Sequence, residues 1–427
     1  MTAAAATGTP TLTRSEQKLR TRQRILGLLY LAIATAMVIF FGLNVEGADT
    51  STFTLTPANA RITLPNLVLP SSGTVFLLSG VVAFAGAVQL TRGFGARWAL
   101  ILGLVAFAFV FAFLTWVAAG QSMNLTGVLQ TTVQRAVPIA FGALSGILCE
   151  RAGVVNIAIE GMLLSGAFIS AVVTSATDNP WLGIGAAILI GALLALLLAV
   201  LAIRYRVDQI IAGFFINILA TGLTAFLAVR ILAPYQSELN TPDRLGPIDI
   251  PFLSDIPVLG PILFQHNIFV YTLFALIIAI HLGLYYTRWG LRVRAVGEHP
   301  KAADTVGINV YWVRYSNVVL GGMVAGFGGA YFTIGSTGAF EREMTAGRGF
   351  IGLAAMIFGG WNPIGAFLAA LVFGFADAIQ SRLSILSIAI PSEFLLMIPY
   401  VVTIIVVAGL VGRARAPAAD GKPYIKE

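Results

Sequence analysis

Charge and cysteine are both scarce in this chain. Of its 427 residues only 11% are Asp, Glu, Lys or Arg, while 58% are hydrophobic. A soluble globular domain carries about 25% charged residues and about 45–50% apolar ones. Too little charge is present to coat a water-facing surface, which excludes an ordinary soluble enzyme and a disordered regulator. The single cysteine, Cys149, excludes a disulfide scaffold. The 45 glycines follow no triplet period, so a collagen-like rod fails too. The three histidines, His266, His281 and His299, fall in three separate segments, and neither H-E-x-x-H nor a cysteine cluster occurs, so no metal site is expected. The chain also lacks a G-x-x-x-x-G-K-[ST] phosphate loop and a G-x-S-x-G elbow, so no catalytic residue is assigned and no cofactor is expected in this chain. What survives is an all-α, polytopic helical membrane protein, because long apolar runs in lipid must satisfy their own backbone.

The net charge of +7 is sorted by position. Arg14, Lys18, Arg20, Arg22 and Arg24 precede the first apolar run; Arg92, Arg97, Arg204, Arg206, Arg288, Arg292, Arg294, Lys301 and Arg314 fall in short loops; Arg413, Arg415, Lys422 and Lys426 close the chain. Placing these inside puts 18 of the 26 Lys and Arg residues on one face, the positive-inside pattern. Glu46, Asp49, Asp178, Glu238, Asp243, Asp249, Asp255, Glu341 and Glu343 gather on the other. The basic balance therefore orients a protein in a bilayer, with both termini cytoplasmic, and does not indicate nucleic acid.

Residues 1–24 read as a cytoplasmic tail and 25–124 as a leading membrane extension. The first span, Ile25–Leu43, is longer than a signal-peptide core and no A-x-A site closely follows it, so an uncleaved span is expected. Further spans are expected at Thr74–Leu90, Trp98–Ala119, Val128–Leu148, Val155–Thr174, Leu182–Ile203, Ile210–Leu232, Ile268–Tyr286, Tyr315–Ile334 and Glu393–Val411. Phe350–Phe358 is too short to cross; it ends in Gly359-Gly360-Trp361-Asn362-Pro363 and is followed by Ile364–Ala378, the pattern of a discontinuous helix pair. The total is about ten to twelve spans, with twelve favoured because both ends lie on the same side. The core is placed at 125–412, with an internal loop at 287–314 and a cytoplasmic tail at 413–427.

A few polar residues interrupt this apolar background. Asn156 and Glu160, spaced i, i+4, are expected on one helix face; an ionisable group within a span needs a partner or a wet cavity. Either a pathway lining or an internal structural bond fits. Asn217 lies inside another span and suits packing across helices or pathway lining. Gly359, Gly360 and Asn362 sit where a helix break exposes backbone groups, and Asp377 follows. The pair Gly322 and Gly326 reads as close helix packing. In the internal loop, Gly297-Glu298-His299-Pro300-Lys301-Ala302-Ala303-Asp304 through Gly307 describes a short helix with Pro300 in its first turn and Gly307 as its stop. Its small residues suit a groove on another protein.

These stretches, with Met344-Thr345-Ala346-Gly347-Arg348-Gly349-Phe350 and Phe358-Gly359-Gly360-Trp361-Asn362-Pro363, resemble the permease subunit of bacterial ABC importers of the branched-chain-amino-acid/ribose type. The likeness is nearest to the nucleoside and simple-sugar branch and spans roughly residues 125–412. The resemblance implies that Gly297, Glu298, His299, Pro300, Ala302, Ala303 and Gly307 form the coupling helix that meets an ABC ATPase subunit. It implies that Asn156, Glu160, Asn217, Gly359, Gly360 and Asn362 belong to the translocation pathway. It further implies a second, related permease, an extracytoplasmic substrate-binding lipoprotein, a bacterial or archaeal plasma membrane, and ATP with Mg bound by the partner ATPase. The expected function is inward passage of a nucleoside or related small polar solute by alternating access. An ion-coupled secondary transporter, using Glu160 or Asp377 as its coupling carboxylate, is the alternative.

Overall fold

The computed structural model describes residues 14–45, 49–56, 62–385 and 415–426. The expected span Glu393–Val411 and Arg413 lie outside the described residues. Ten described helices are long and apolar enough to cross a membrane, and one shorter apolar helix accompanies them. The chain divides into two compact units, Met1–Leu125 and Thr126–Glu427.

The first unit holds α1 (Arg14–Ala36), extended by a π-helical turn at Met37–Gly42, then α2 (Ser71–Thr91) and α3 (Trp98–Val117). A small sheet sets β1 (Thr50–Thr54) between antiparallel β2 (Leu67–Pro70) and parallel β3 (Ser122–Asn124). Tyr30, Met37, Val75, Val82 and Ala112 make its core, and the Phe41 and Trp116 rings stack 5.4 Å apart. The segment before residue 25, expected to be a tail, is helical from Arg14 onward. Its Arg22 guanidinium lies over the Trp98 ring, 3.5 Å from the centroid, a cation–π contact that suits a helix emerging from the bilayer.

The second unit comprises α4 (Leu125–Glu150), α5 (Ile159–Thr177), α6 (Pro180–Ala199), α7 (Gln209–Leu227), the short α8 (Gln236–Leu239), α9 (Ile268–Tyr286), α10 (Arg288–Glu298), α11 (Pro300–Thr305), α12 (Val310–Phe332), α13 (Arg348–Phe358) and α14 (Pro363–Ile385). A two-stranded pairing of β4 (Ile248–Asp249) with β5 (Gln265–His266) ties down the long loop before α9. Helix starts follow ordinary capping chemistry. Asp208 accepts from Ile210 N and Ile211 N at 2.9 and 3.0 Å, and Asn179, Asn267, Thr287 and Asn309 cap α6, α9, α10 and α12. Helices α5, α6 and α12 cross closely: a Cβ at Gly326 would run into the Ala187 carbonyl, so the expected packing of Gly322 and Gly326 holds.

Three expectations need correction. Helix α5 begins at Ile159, so Asn156 is not helical and does not share a helix face with Glu160. Only α13 is half-length; the run after Pro363 continues to Ile385 as a full span, because nothing in it breaks the helix. The internal loop contains two helices, α10 as well as the expected one at Pro300, and α12 starts at Val310, which places Arg314 in a helix, 1% exposed.

Candidate functional site: a clamped half-helix and a polar wall

Between α4 and α5 the chain runs without helical structure from Arg151 to Ala158, and most of this stretch is buried. Irregular backbone at membrane depth must have its N–H and C=O groups satisfied by the protein. Asn156 accepts from Ala158 N at 3.0 Å, and its amide faces the sulfurs of Cys149 and Met162. Asn217, from α7, accepts from Gly161 N and donates to the Ile157 carbonyl, both at 2.8 Å. Gln209 accepts from Val155 N at 2.7 Å. These side-chain amides are thus bonded to the unwound segment, standing in for the helical bonds it lacks.

Alongside this segment lies α13, eleven residues or about 16 Å long at 1.5 Å per residue. Its two ends are held by opposite charges. Glu160 accepts from Gly347 N at 2.8 Å and from Gly349 N at 2.6 Å, a charge-assisted cap at the helix N-terminus. A Cβ at Gly349 would approach the Glu160 backbone to 2.7 Å, so the close approach requires glycine there. At the other end Arg151 donates to the carbonyls of Trp361 and Gly360, at 3.0 and 3.2 Å, and to the Tyr285 hydroxyl at 3.1 Å. A carboxylate at the N-terminus and a guanidinium past the C-terminus both complement the helix dipole. Glu150 accepts from the Trp361 indole at 2.6 Å. Gly359 closes α13, Gly360 follows with φ +65°, and Asn362 caps α14 by accepting from Ile364 N at 2.9 Å. Of the six expected pathway residues, Asn156, Glu160, Asn217, Gly359 and Gly360 converge on α13 and the unwound segment, while Asn362 serves the start of α14.

A second polar group joins Asp377 to Arg135, which was not singled out from the sequence. Near the middle of α4, Arg135 stands ten residues, or about 15 Å, from Leu125. Its guanidinium is 3.9 Å from the Asp377 carboxylate of α14, which pairs more closely with Arg348 of α13, at 3.1 Å. Tyr331 donates to the Gln134 carbonyl at 2.9 Å. Gln130, Thr131, Gln134 and Arg135 recur at i, i+4 spacing, a polar stripe that the sequence carried but that the apolar average of the span concealed.

In the loop before α12, His299 accepts from Ala302 N through Nδ1 at 3.2 Å to cap α11, with Pro300 in its first turn. Glu298, His299, Lys301, Ala302, Thr305, Val306 and Gly307 are exposed, whereas Gly297 and Ala303 are buried against the body of the unit. The described C-terminal segment, 415–426, packs onto this loop. Ala419 N donates to the Gly297 carbonyl at 2.9 Å, Ala418 N to Glu298 at 3.2 Å, and Lys426 lies 3.7 Å from Asp304. Arg314 donates to the Lys422 carbonyl at 3.0 Å, and the Tyr311 and Tyr424 rings meet at 5.4 Å. The Asp420 carboxyl reaches Glu150 and Arg314; burial pushes it up to about 6, opposed by those two groups and the Gly421 backbone.

Comparison with known proteins supplies the wider frame. The family model described as "Branched-chain amino acid transport system / permease component" matches residues 128–407. The guanosine ABC transporter permease protein NupQ of Bacillus subtilis is 42% identical over 312 residues, covering 71% of this chain and 97% of that protein. The nucleoside ABC transporter permease protein NupC of Lactococcus lactis is 43% identical, covering 71% and 99%. The putative glucose ABC transporter permease protein TsgC13 of Haloferax volcanii is 36% identical, covering 62% and 80%. No solved structure matches the chain.

Proposed function

The chain belongs to the branched-chain amino acid transport system / permease component family, and from that membership we propose that it carries a nucleoside inward across the plasma membrane as the permease subunit of an ABC importer. The observation that carries the solute class is the near-complete coverage of two nucleoside permeases at 42% and 43% identity. The relative named for glucose is less similar and is covered to 80%, which favours the nucleoside over the free sugar.

In this reading the chain holds no ATP. The exposed face of α10 and α11, centred on Ala302 and flanked by Glu298, His299 and Val306, receives a separate ABC ATPase subunit that binds ATP and Mg. Gly297 and Ala303, expected at that contact, serve it from behind by seating the two helices on the body of the unit. The 415–426 segment braces the same loop and reaches Glu150, whose carboxylate holds Trp361 at the end of α13. A displacement of the loop therefore has a short, polar route to the half-helix. In this reading the half-helix, held at both ends by side chains, is the element whose end contacts are exchanged as the loop moves. A second permease subunit and an extracytoplasmic lipoprotein receptor complete the importer, with the termini of this chain cytoplasmic.

The test is reconstitution with the ATPase, second permease and receptor in vesicles, followed by uptake of radiolabelled guanosine, uridine and glucose. ATP-dependent nucleoside uptake, insensitive to an uncoupler, is the expected result. Uptake that persists without the ATPase but collapses with the uncoupler would establish an ion-coupled carrier instead.

A further inference from the structure

Helix α4 changes character along its length. From Ala136 to Glu150 every residue is buried. Before that, Gly127, Gln130, Thr131, Gln134 and Arg135 lie along one strip that is partly or fully exposed. Contrast α7, where Ile210, Ile211, Phe214, Phe215, Ile218 and Leu219 are exposed and wholly apolar, as a lipid-facing surface should be. A guanidinium facing hydrocarbon near the bilayer centre is costly on every insertion scale, so intramembrane charges face a partner or a water-filled cavity. The strip on α4 therefore faces water or polar protein.

Among the described residues the charges in this strip do not balance. Asp377 lies 3.1 Å from Arg348, whose side chain is 18% exposed, but 3.9 Å from Arg135, whose side chain is 42% exposed. One carboxylate thus closely serves one guanidinium and only steadies the other. Arg135 is oriented by a charge beyond hydrogen-bonding distance and presents a planar fork of N–H donors. Such a fork matches two adjacent acceptors on one rigid edge, the geometry of O6 and N7 on a 6-oxopurine. An adenine edge presents a donor in place of O6 and would meet the same fork less well.

We propose that the outer part of α4, with Asp377 and Arg348, is a solute-binding wall of an aqueous passage, where Arg135 takes the oxo edge of a 6-oxopurine nucleoside and Gln134 adds a further polar contact. The solute named here rests on the nucleoside reading above; the wet wall does not. The wall and Arg135 set a preference among nucleosides during passage, separate from any preference of a receptor.

The experiment uses the full importer in vesicles. Cys149 is the sole cysteine of this chain and is buried, so single cysteines can be introduced into this subunit and their labelling read on its own band after the importer is separated. Gln134→Cys and, as lipid-facing control, Phe214→Cys are treated with a membrane-impermeant, sulfonate-bearing thiol reagent, with and without saturating guanosine. The expected result is fast modification at 134, slowed several-fold by guanosine, and little at 214. Equal rates at the two positions, as would follow if another helix sealed this face, overturn the wet wall. Fast modification that guanosine leaves unchanged overturns the binding role. In parallel, Arg135→Gln should raise the KM for guanosine on the order of 10-fold relative to adenosine, the range one bidentate guanidinium–base pair discriminates; equal effects on both nucleosides overturn the edge assignment. Wild-type importer that takes up no nucleoside refutes the proposed solute and leaves the labelling contrast to judge the wall alone.

Discussion

Replacing Glu160 separates a helix cap from a group that handles solute. Its two oxygens accept from Gly347 N and Gly349 N at 2.8 and 2.6 Å, and the residue is only 9% exposed. In Glu160→Ala both N–H groups lose their acceptor, at about 1–3 kcal/mol each, and the helix loses a favourable charge at its N-terminus, worth about 0.3–1 kcal/mol. The expected loss is about 2–7 kcal/mol, a large share of a typical folding free energy of about 5–15 kcal/mol. Glu160→Gln keeps one acceptor and should lose roughly half as much. Glu160→Asp is shorter by one methylene and cannot reach both donors, so it should behave more like Ala than Gln. The assay pairs thermal unfolding of the purified importer with uptake in vesicles, and adds hydrogen exchange at residues 347–349. Stability, protection and uptake should fall together in the order wild type, Gln, then Asp and Ala. If Gln abolishes uptake while stability and protection stay at the wild-type level, the carboxylate acts on the solute and the cap argument fails.

Asn217→Leu, nearly isosteric, strands Gly161 N and the Ile157 carbonyl and should destabilise by about 2–4 kcal/mol, read as a lower unfolding temperature. Ala302→Glu or Val306→Glu on the exposed face should leave the permease folded and membrane-inserted but abolish ATPase stimulation; normal coupled uptake would remove the docking assignment. Ala303→Glu is a different case, because Ala303 is buried, and should lower the amount of folded protein. The Asp420 carboxyl is pushed up to about 6 from an ordinary 3.8, so the docked 415–426 segment holds the proton more tightly than the free one. Its stabilisation is complete below the ordinary value and is lost as pH rises through about 6. Tryptic cleavage after Arg415, scaled at each pH to that of an unstructured peptide of the same sequence, should accelerate from pH 5 to pH 7.5, and Asp420→Asn should flatten the scaled dependence.

How much of this was legible varied with the kind of signal. Spans were readable because hydropathy over about twenty residues is a property of the chain itself. The expected Ile268–Tyr286 matches the observed helix, and the other described spans differ mainly at their ends. The caps Asp208, Asn267 and Asn309 were not picked out from the sequence, though each acts within three residues of itself. The unwound stretch before Ile159 was not legible, because nothing in Val154-Val155-Asn156 breaks a helix by propensity. That backbone is non-helical because Gln209 and Asn217, 54 and 60 residues away, satisfy it. The polar stripe on α4 was present in the spacing but averaged away by its apolar neighbours.

The sequence alone therefore determined that this is a multi-pass helical membrane protein with a helix break at Gly359–Pro363 and a short loop helix that opens at Pro300 and stops at Gly307. Those properties depend on local composition and on hydrogen bonds that close within a turn. Tertiary structure alone decided what the buried polar residues bond to. Glu160 and Asn217 meet backbone groups of α13 and of the unwound segment only because the fold brings those distant stretches beside them. It also left Arg135 with the weaker claim on Asp377, since a single carboxylate cannot hold two guanidinium groups equally close.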